Sequence, residues 1–237
     1  MKRIAIIPAF NEQGAIGGVI DELVAFDPEV DVLVVDDASH DATADRARRH
    51  GARVITLPFN LGIGGAVQTG FRYAAQYGYE LAIRVDGDGQ HDPGELGPLI
   101  DIVVSGQADV CVGSRFAGAE GYRSSATRRV GIRILARTVS LLTAQRLTDT
   151  TSGFQVLNRR AIELFAADYP HDYPEVEAAV MAHKHRLRLA EAPVRMRERT
   201  TGQSSIRGAL SVYYMAKVML AIVIGSLRRK ATPLEDA

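Results

Sequence analysis

Two carboxylates one residue apart, Asp86 and Asp88, are the residues of this chain whose types and spacing most directly suggest chemistry. They follow the apolar run Leu81–Val85, and Gly87 and Gly89 lie between and after them. In an extended or turning backbone, side chains two residues apart project to the same side. Two hard oxygen ligands at a strand end suit Mg²⁺ or Mn²⁺, and such ions are usually shared with substrate phosphates. The first hypothesis is therefore an enzyme that handles a phosphate.

An EF-hand calcium loop is the main competing interpretation of this run, and its spacing does not fit. With Asp86 as the first loop residue, His91 stands where glycine is required and Gly97 where glutamate is required. A solvated acidic turn is the second alternative, and the motif alone does not exclude it.

Length, charge and cysteine content narrow the class of protein. The chain has 237 residues and a formal net charge of zero, which indicates an ordinary globular protein and argues against bulk nucleic-acid binding. Its single cysteine, Cys111, lies in the apolar run 108–113 and is expected to be a buried, inert thiol, consistent with a reducing cytosol. Neither a signal peptide nor a transmembrane helix is predicted.

Short apolar runs alternate with stretches of helical period in the first half of the chain. The predicted strands are Ile4–Ile7, Val32–Val35, Arg53–Leu57, Leu81–Val85 and Val110–Val112. The predicted helices are Ala15–Ala25, Ala42–His50, Ala66–Tyr77 and Glu95–Val104. This alternation predicts an α/β domain with a mostly parallel central sheet and helices on both faces.

Polar clusters follow three of the predicted strands, and parallel α/β sheets bind ligands beyond the carboxyl ends of their strands. The clusters are Pro8–Glu12, Asp36–Ser39 and the Asp86/Asp88 pair. Their recurrence at one edge predicts an active site there. The run Asn60–Gly65 superficially resembles a dinucleotide fingerprint but lacks its third glycine, so it could serve phosphate binding or tight packing of a helix on the sheet.

Seven ordered motifs together resemble the family 2 glycosyltransferases, which have the GT-A fold, and within them the dolichyl- or polyprenyl-phosphate sugar synthases. The resemblance extends from Ile4 to about Ile206. It rests on Ile7–Glu12, Val35–Ser39, Asn60-x-Gly62-x-Gly64, Asp86–His91, Gly113–Arg115, Ser152–Phe154 and Arg199-x-x-Gly202-x-Ser204.

This resemblance implies roles for residues on the donor side of the site. Pro8, Phe10 and Glu12 would line the pocket for base and ribose, and Asp37 would recognise one of them. The diphosphate would lie at Asp86, Gly87 and Asp88, and Asp86, Asp88 and Gln90 would hold Mg²⁺ or Mn²⁺. For Glu12, the alternative is an acidic residue near a helix N-terminus, favoured by the macrodipole.

Arginines concentrate after the predicted sheet core and are candidates for holding an anionic acceptor. Arg115 is the best of them because it ends a strand on the predicted active edge. Arg128, Arg129 and Arg199 are the other candidates, and a solvated helix face is the alternative for each arginine of the 122–134 segment.

Two glutamates are candidates for a general base, which a sugar-hydroxyl acceptor would require and an ionised lipid phosphate would not. They are Glu175 and Glu177, with Glu177 taken as a catalytic residue beside Asp88 and Arg115. The alternative is that both are acidic residues in the first turn of a helix that follows Pro174.

The segment Ala209–Leu227 is strongly apolar, carries Lys217 and is followed by Arg228–Lys230. This pattern predicts an amphipathic helix lying on a membrane surface, with packing on the domain or in a dimer as the alternative. The predicted domain organisation is thus a glycosyltransferase domain over 1–206, followed by a possibly membrane-associating tail over 207–237.

The prediction is an inverting, metal-dependent transferase at the cytoplasmic face of the membrane. It would move a sugar from a GDP-, UDP- or dTDP-linked donor to polyprenyl phosphate and would reach its lipid by the membrane surface or a small membrane-protein partner. Transfer to a saccharide hydroxyl is one alternative. A binding protein on a degenerate transferase fold is the other.

Overall fold

The computed structural model of the chain describes residues 1–117, 126–143, 145, 147–171 and 174–197, which form an α/β sandwich of helices around one sheet. Its strands are Arg3–Ala9 (β1), Asp31–Asp36 (β2), Arg53–Thr56 (β3), Leu81–Arg84 (β4), Val110–Ser114 (β5), Gln155–Asn158 (β6) and Leu189–Pro193 (β7). Its helices are Ile16–Phe26 (α1), Thr43–Arg49 (α2), Gly62–Gln76 (α3), Leu96–Val104 (α4), Ala126–Thr143 (α5), Arg159–Ala167 (α6) and Pro174–Lys184 (α7). A 3₁₀ turn at Pro93–Glu95 precedes α4.

The seven strands described form one sheet in the order β3-β2-β1-β4-β6-β5-β7. Strands β1 to β4 pair in parallel, β5 pairs in parallel with β7, and β6 runs antiparallel to both of its neighbours. The predicted mostly parallel sheet is confirmed. Because β6 is reversed, the residues that precede it, Gly153 and Phe154, lie at the edge where the other strands end.

Alternate side chains of β1 supply two separate hydrophobic cores, one on each face of the sheet. Ala5 and Ile7 pack with residues of α1 and α4. Ile4 and Ile6 pack with residues of α3 and α6. This burial on both faces confirms the predicted helical layers and explains why the strand reads as a continuous apolar run.

Helix α3 begins at Gly62, four residues before the predicted start at Ala66, so the glycine-rich run lies inside the helix. The Asp37 carboxylate accepts hydrogen bonds from the first backbone N–H groups, those of Leu61 at 2.7 Å and Gly62 at 2.9 Å. This capping satisfies donors that a helix start leaves without partners. A Cβ on Gly64 would lie 2.4 Å from the carbonyl oxygen of Pro170, so packing accounts for this glycine.

The sequence analysis does not predict four of these elements: strands β6 and β7 and helices α5 and α6. Helix α7 begins at Pro174 and carries Glu175 and Glu177 in its first turn, as the alternative interpretation of these two residues predicts. The predicted C-terminal helix and the domain division at residue 206 lie outside the described residues. Within the described ranges, no helix combines the length and apolar character that crossing a membrane requires.

Candidate active site

A cavity of about 720 Å³ lies beyond the carboxyl ends of β1, β2 and β4. All seven residues predicted to bind the donor line it: Pro8, Phe10, Glu12, Asp37, Asp86, Gly87 and Asp88. They converge because β1 pairs with β2 on one side and with β4 on the other. The structure therefore brings together the polar clusters that the sequence shows only as separate motifs.

The loops after β1 and β2 are bonded to one another through side chains and backbone. The side-chain oxygen of Asn11 accepts from the backbone N–H of His40 at 2.8 Å, and the backbone N–H of Asn11 donates to Ser39 Oγ at 2.9 Å. Asn11 and Ala38 have φ angles of 56° and 59°, in the left-handed region. Such conformations persist only where surrounding contacts hold them, and these reciprocal bonds are such contacts.

Phe10 and Asp37 contribute very different surfaces to this part of the cavity. The Phe10 ring is 42% exposed and lies edge-on to His40, with 6.1 Å between ring centroids, so its apolar surface is available to a flat ligand. Asp37 is buried, and both of its carboxylate oxygens accept from the start of α3. Asp37 therefore has a structural role that the sequence reading did not foresee.

Asp86 and Asp88 both line the cavity, just after the end of β4. Asp88 Oδ1 accepts from the backbone N–H of Gln90 at 3.0 Å. Asp86 Oδ1 is buried, and no hydrogen-bond partner for it is found among the described residues. A buried carboxylate oxygen without a donor is costly unless a ligand or ion supplies the missing interaction.

The charge of the lining, as far as the described residues form it, is strongly unbalanced. Among them, five carboxylates line the cavity, those of Glu12, Asp37, Asp86, Asp88 and Glu175, against the single guanidinium of Arg84. An anionic diphosphate would be repelled by such a surface unless a cation accompanied it. Within the described residues there is no group of three or more His, Cys, Asp or Glu side chains that could hold a metal. A cation at Asp86 and Asp88 would thus need ligand oxygens from the substrate as well.

Asp86 contacts His91 and lies close to Gly153. The backbone N–H of Asp86 donates to His91 Nδ1 at 3.1 Å, and the imidazole stacks on Phe154 at a centroid distance of 4.8 Å. Burial lowers the pKa of His91, although the nearby charges of Asp86 and Asp88 oppose this. A Cβ on Gly153 would lie 2.6 Å from Asp86 Oδ1. The glycine of the Ser152–Phe154 motif thus makes room for the carboxylate.

Arg84 is a site residue that the sequence reading missed. Its side chain is 1% exposed, and Nη2 donates to Glu175 Oε1 at 2.5 Å while Nη1 donates to the Tyr169 hydroxyl at 3.2 Å. Burial lowers the pKa of Arg84, but the charges of Tyr169, Glu175 and Asp86 outweigh it and raise the pKa. The only sequence signal was a charged residue inside an apolar strand, which indicates a buried partner.

Three further predicted residues, Gln90, Arg115 and Glu177, are not among the described residues that line the cavity. The Gln90 side chain donates to the carbonyl of Arg197 at 3.4 Å. The Arg115 guanidinium binds Asp149 through Nε at 2.7 Å and Nη2 at 2.8 Å, and Nη2 also donates to Thr151. Glu175 lines the cavity, whereas Glu177, in the same turn of α7, does not. The proposed roles of Gln90, Arg115 and Glu177 stay predictions.

Three further predicted acceptor residues cannot be placed against the cavity. Arg128 and Arg129 belong to α5, in a stretch whose side chains are outside the description, and Arg199 lies outside the described residues altogether.

The comparison with family models matches Glycosyl transferase family 2 over residues 4–165. The chain belongs to this family. A relative from Micrococcus luteus, an undecaprenyl-phosphate mannosyltransferase, is 31% identical over 219 residues that cover 89% of each chain. A polyprenol monophosphomannose synthase from Mycolicibacterium smegmatis is 30% identical over 241 residues, covering 96% of this chain and 89% of the relative.

Among solved structures, this family 2 chain is similar to the glucosyl-3-phosphoglycerate synthase of Mycobacterium tuberculosis in complex with Mn²⁺ and UDP-glucose. The TM-score is 0.70 at 20% identity, with 95% of this chain and 78% of that chain covered. At this identity the similarity establishes the GT-A fold alone, which agrees with the predicted fold class. The family assignment places the chain among the glycosyltransferases, and its homologues include polyprenyl- and dolichyl-phosphate enzymes.

Proposed function

We propose that this protein is an inverting, metal-dependent glycosyltransferase that moves a sugar from a nucleoside-diphosphate donor to polyprenyl phosphate at the cytoplasmic face of the membrane. The observation that carries the proposal is the carboxylate-rich cavity in which Asp86 and Asp88 adjoin the loops after β1 and β2. The names of the relatives from Micrococcus luteus and Mycolicibacterium smegmatis support the acceptor class.

The donor would lie along the cavity with its base at the β1 and β2 loops. Phe10 offers an apolar ring surface to the base, and Glu12 can accept hydrogen bonds from base or ribose hydroxyls. The clamped loops keep these groups in place without the donor. Asp86 and Asp88 would hold Mg²⁺ or Mn²⁺, and such a cation, when bound, stabilises the negative charge of a departing diphosphate.

The acceptor oxygen would attack the anomeric carbon from the face opposite the diphosphate. As the new carbon–oxygen bond forms, the bond to the diphosphate breaks with its electron pair leaving on the diphosphate oxygen, and the configuration inverts. A phosphate monoester is largely ionised at neutral pH, so no proton has to be removed. What the protein must supply is position and positive charge, for which Arg115, Arg128, Arg129 and Arg199 are the candidates.

A transfer assay tests this proposal. The protein is incubated with Mn²⁺ or Mg²⁺, polyprenyl phosphate and labelled GDP-mannose, UDP-glucose or dTDP-glucose in turn. One donor is expected to give a chloroform-extractable labelled product, abolished by chelation with EDTA. If no donor labels the lipid and label enters a saccharide hydroxyl instead, the alternative acceptor replaces the lipid phosphate.

The tail over 207–237 is proposed to hold the transferase domain at the lipid surface, because its apolar segment Ala209–Leu227 is followed directly by the basic run Arg228–Lys230. Flotation with anionic lipid vesicles tests this. A chain ending at residue 206 is expected to remain at the bottom of the gradient, and flotation of both chains alike would contradict the role of the tail.

A further inference from the structure

The part of the cavity next to helix α7 carries an ion pair that the proposed chemistry does not yet use. Glu175, the second residue of α7, has a side chain that is 20% exposed and lines the cavity. Its Oε1 atom is held by Arg84, which is buried beneath it and is itself bonded to Tyr169. A carboxylate fixed in this way presents a hydrogen-bond acceptor at a defined position in the cavity.

The position of Glu175 relative to Asp86 decides which part of a donor it could meet. Arg84 Nη2 is 2.5 Å from Glu175 Oε1 and 3.9 Å from Asp86 Oδ1, so one nitrogen atom contacts or approaches both carboxylates. In a nucleotide sugar, the sugar is bonded directly to the diphosphate. With the diphosphate at Asp86 and Asp88, the sugar must lie within one ring width of them, which is where Glu175 stands.

The sheet order shows which strands helix α7 and the proposed base loops adjoin. The loops after β1 and β2, proposed to hold the base, lie on one side of β4. Helix α7 packs against α5 and β7, and β7 lies at the far end of the sheet on the other side of β4. Helix α7 is thus anchored beyond β4, and Glu175 in its first turn reaches Arg84 at the end of β4, next to the proposed diphosphate position.

We infer that Glu175 orients the transferred sugar by accepting hydrogen bonds from its hydroxyl groups, with Arg84 as the positioning residue. This inference rests on the proposed function, because it takes the donor to be a nucleotide sugar. The competing role is a general base for a saccharide hydroxyl. A proton taken up by Glu175 would weaken the pair with Arg84 and leave a buried guanidinium without its nearest counter-charge, which is unfavourable.

The test compares Glu175→Gln with Glu163→Gln, a matched control at an exposed position of α6 that does not line the cavity. Affinities for UDP-glucose, GDP-mannose, dTDP-glucose, UDP, GDP and dTDP are measured by calorimetry with Mn²⁺ and without acceptor. For the nucleotide sugar that wild type prefers, Glu175→Gln is expected to weaken binding about tenfold, the loss of a charge-assisted hydrogen bond. Binding of the corresponding nucleoside diphosphate is expected to stay within about twofold, and Glu163→Gln is expected to change neither affinity.

Three results would overturn the inference. Equal weakening of the nucleoside diphosphate and its sugar form would assign Glu175 a purely structural role. Unchanged donor affinity with a large fall in kcat would assign it the role of a base. Unchanged affinity and unchanged kcat would show that Glu175 takes no part in donor binding or catalysis.

Donor binding is measured without acceptor, so an error in the proposed acceptor class leaves this test intact. Wild-type protein that binds donors but labels no lipid contradicts the acceptor alone. Wild-type protein that binds none of these six nucleotides contradicts both proposals. Thermal unfolding of each variant confirms that it is folded.

Discussion

The two sides of the cavity are held in place by different interactions. On the side of β1 and β2, neutral hydrogen bonds join neighbouring loops, as between Asn11 and His40. On the side of β5 and β7, buried ion pairs hold the structure, as between Arg115 and Asp149. Loss of a neutral surface bond costs little, whereas loss of one ion-pair partner leaves a buried charge. We therefore expect the first side to tolerate substitution and the second to resist it.

The largest effect on activity is expected for a substitution of Asp88, which follows β4, the strand between the two sides of the cavity. Asp88→Asn should lower the transfer rate about a thousandfold, because a cation at the diphosphate would lose one of its two carboxylates. The same variant should lose the Mn²⁺-dependent part of the thermal shift caused by nucleoside diphosphate. Asp101→Asn, at an exposed position of α4, is the control and should behave as wild type. Full activity of Asp88→Asn would displace the metal assignment.

The second-largest effect is expected on stability, when the buried ion pair between Arg115 and Asp149 is broken. Asp149→Ala removes a fully buried carboxylate and leaves Arg115, whose side chain is 9% exposed, without this counter-charge. The free energy of unfolding in urea should fall by about 3 kcal/mol or more. Glu163→Ala breaks the exposed pair with Arg159 and should cost under about 1 kcal/mol. An equal fall in the free energy of unfolding in the two variants would contradict the expected difference between buried and exposed ion pairs.

A substitution of Gly153, which precedes the reversed strand β6, tests whether this glycine is needed to make room for Asp86. A Cβ at this position would meet Asp86 Oδ1 at 2.6 Å, so Gly153→Ala should displace the carboxylate and lower kcat/KM by about tenfold or more. Gly18→Ala is the control, because a Cβ there meets nothing within 4 Å and α1 should gain a few tenths to about 1 kcal/mol. Unchanged activity of Gly153→Ala would show that Asp86 can move without consequence.

On the hydrogen-bonded side, Asn11→Ala should destabilise the protein by about 1 to 2 kcal/mol. The substitution removes the bond to His40 and places alanine at a φ of 56°. Asn11→Gly separates these causes, since glycine adopts this φ without strain and loses only the side-chain bond. If the glycine variant is as unstable as the alanine variant, backbone strain plays no part in holding the loop.

The smallest effect concerns pH and Asp109, which ties the start of β5 to Arg188 and Asn158. Burial raises the pKa of Asp109, but the hydrogen bonds from Arg188 and Asn158 outweigh it and hold the pKa below its usual value. Its stabilising contribution is therefore complete above about pH 4 and is lost as the pH falls further. The difference in unfolding free energy between wild type and Asp109→Asn should shrink below about pH 4. A constant difference would contradict the ion-pair account.

The β1, β2 and β4 side of the site could be predicted from the sequence because each of its parts is local. An apolar run followed at once by Asp86 or by Pro8–Glu12 specifies both the strand and the residues at its end. The rule that parallel strands bind ligands at their carboxyl ends then brings the parts together.

The other side could not be predicted because its determinants are long-range pairs. Arg84 and Glu175 are 91 residues apart, and nothing in the local pattern around either indicates the other. The sequence likewise gave no sign that Arg115 binds Asp149. The start of α3 was placed too late, because glycines weaken the helical signal while Asp37, 25 residues earlier, caps that start.

The bonded loops after β1 and β2 have a kinetic consequence. Their left-handed residues and reciprocal bonds fix the shape of that wall during folding, so the entropy of ordering it is already lost before any nucleotide arrives. Association should then be a single step whose rate rises in proportion to nucleotide concentration, without the plateau that a slow rearrangement would impose.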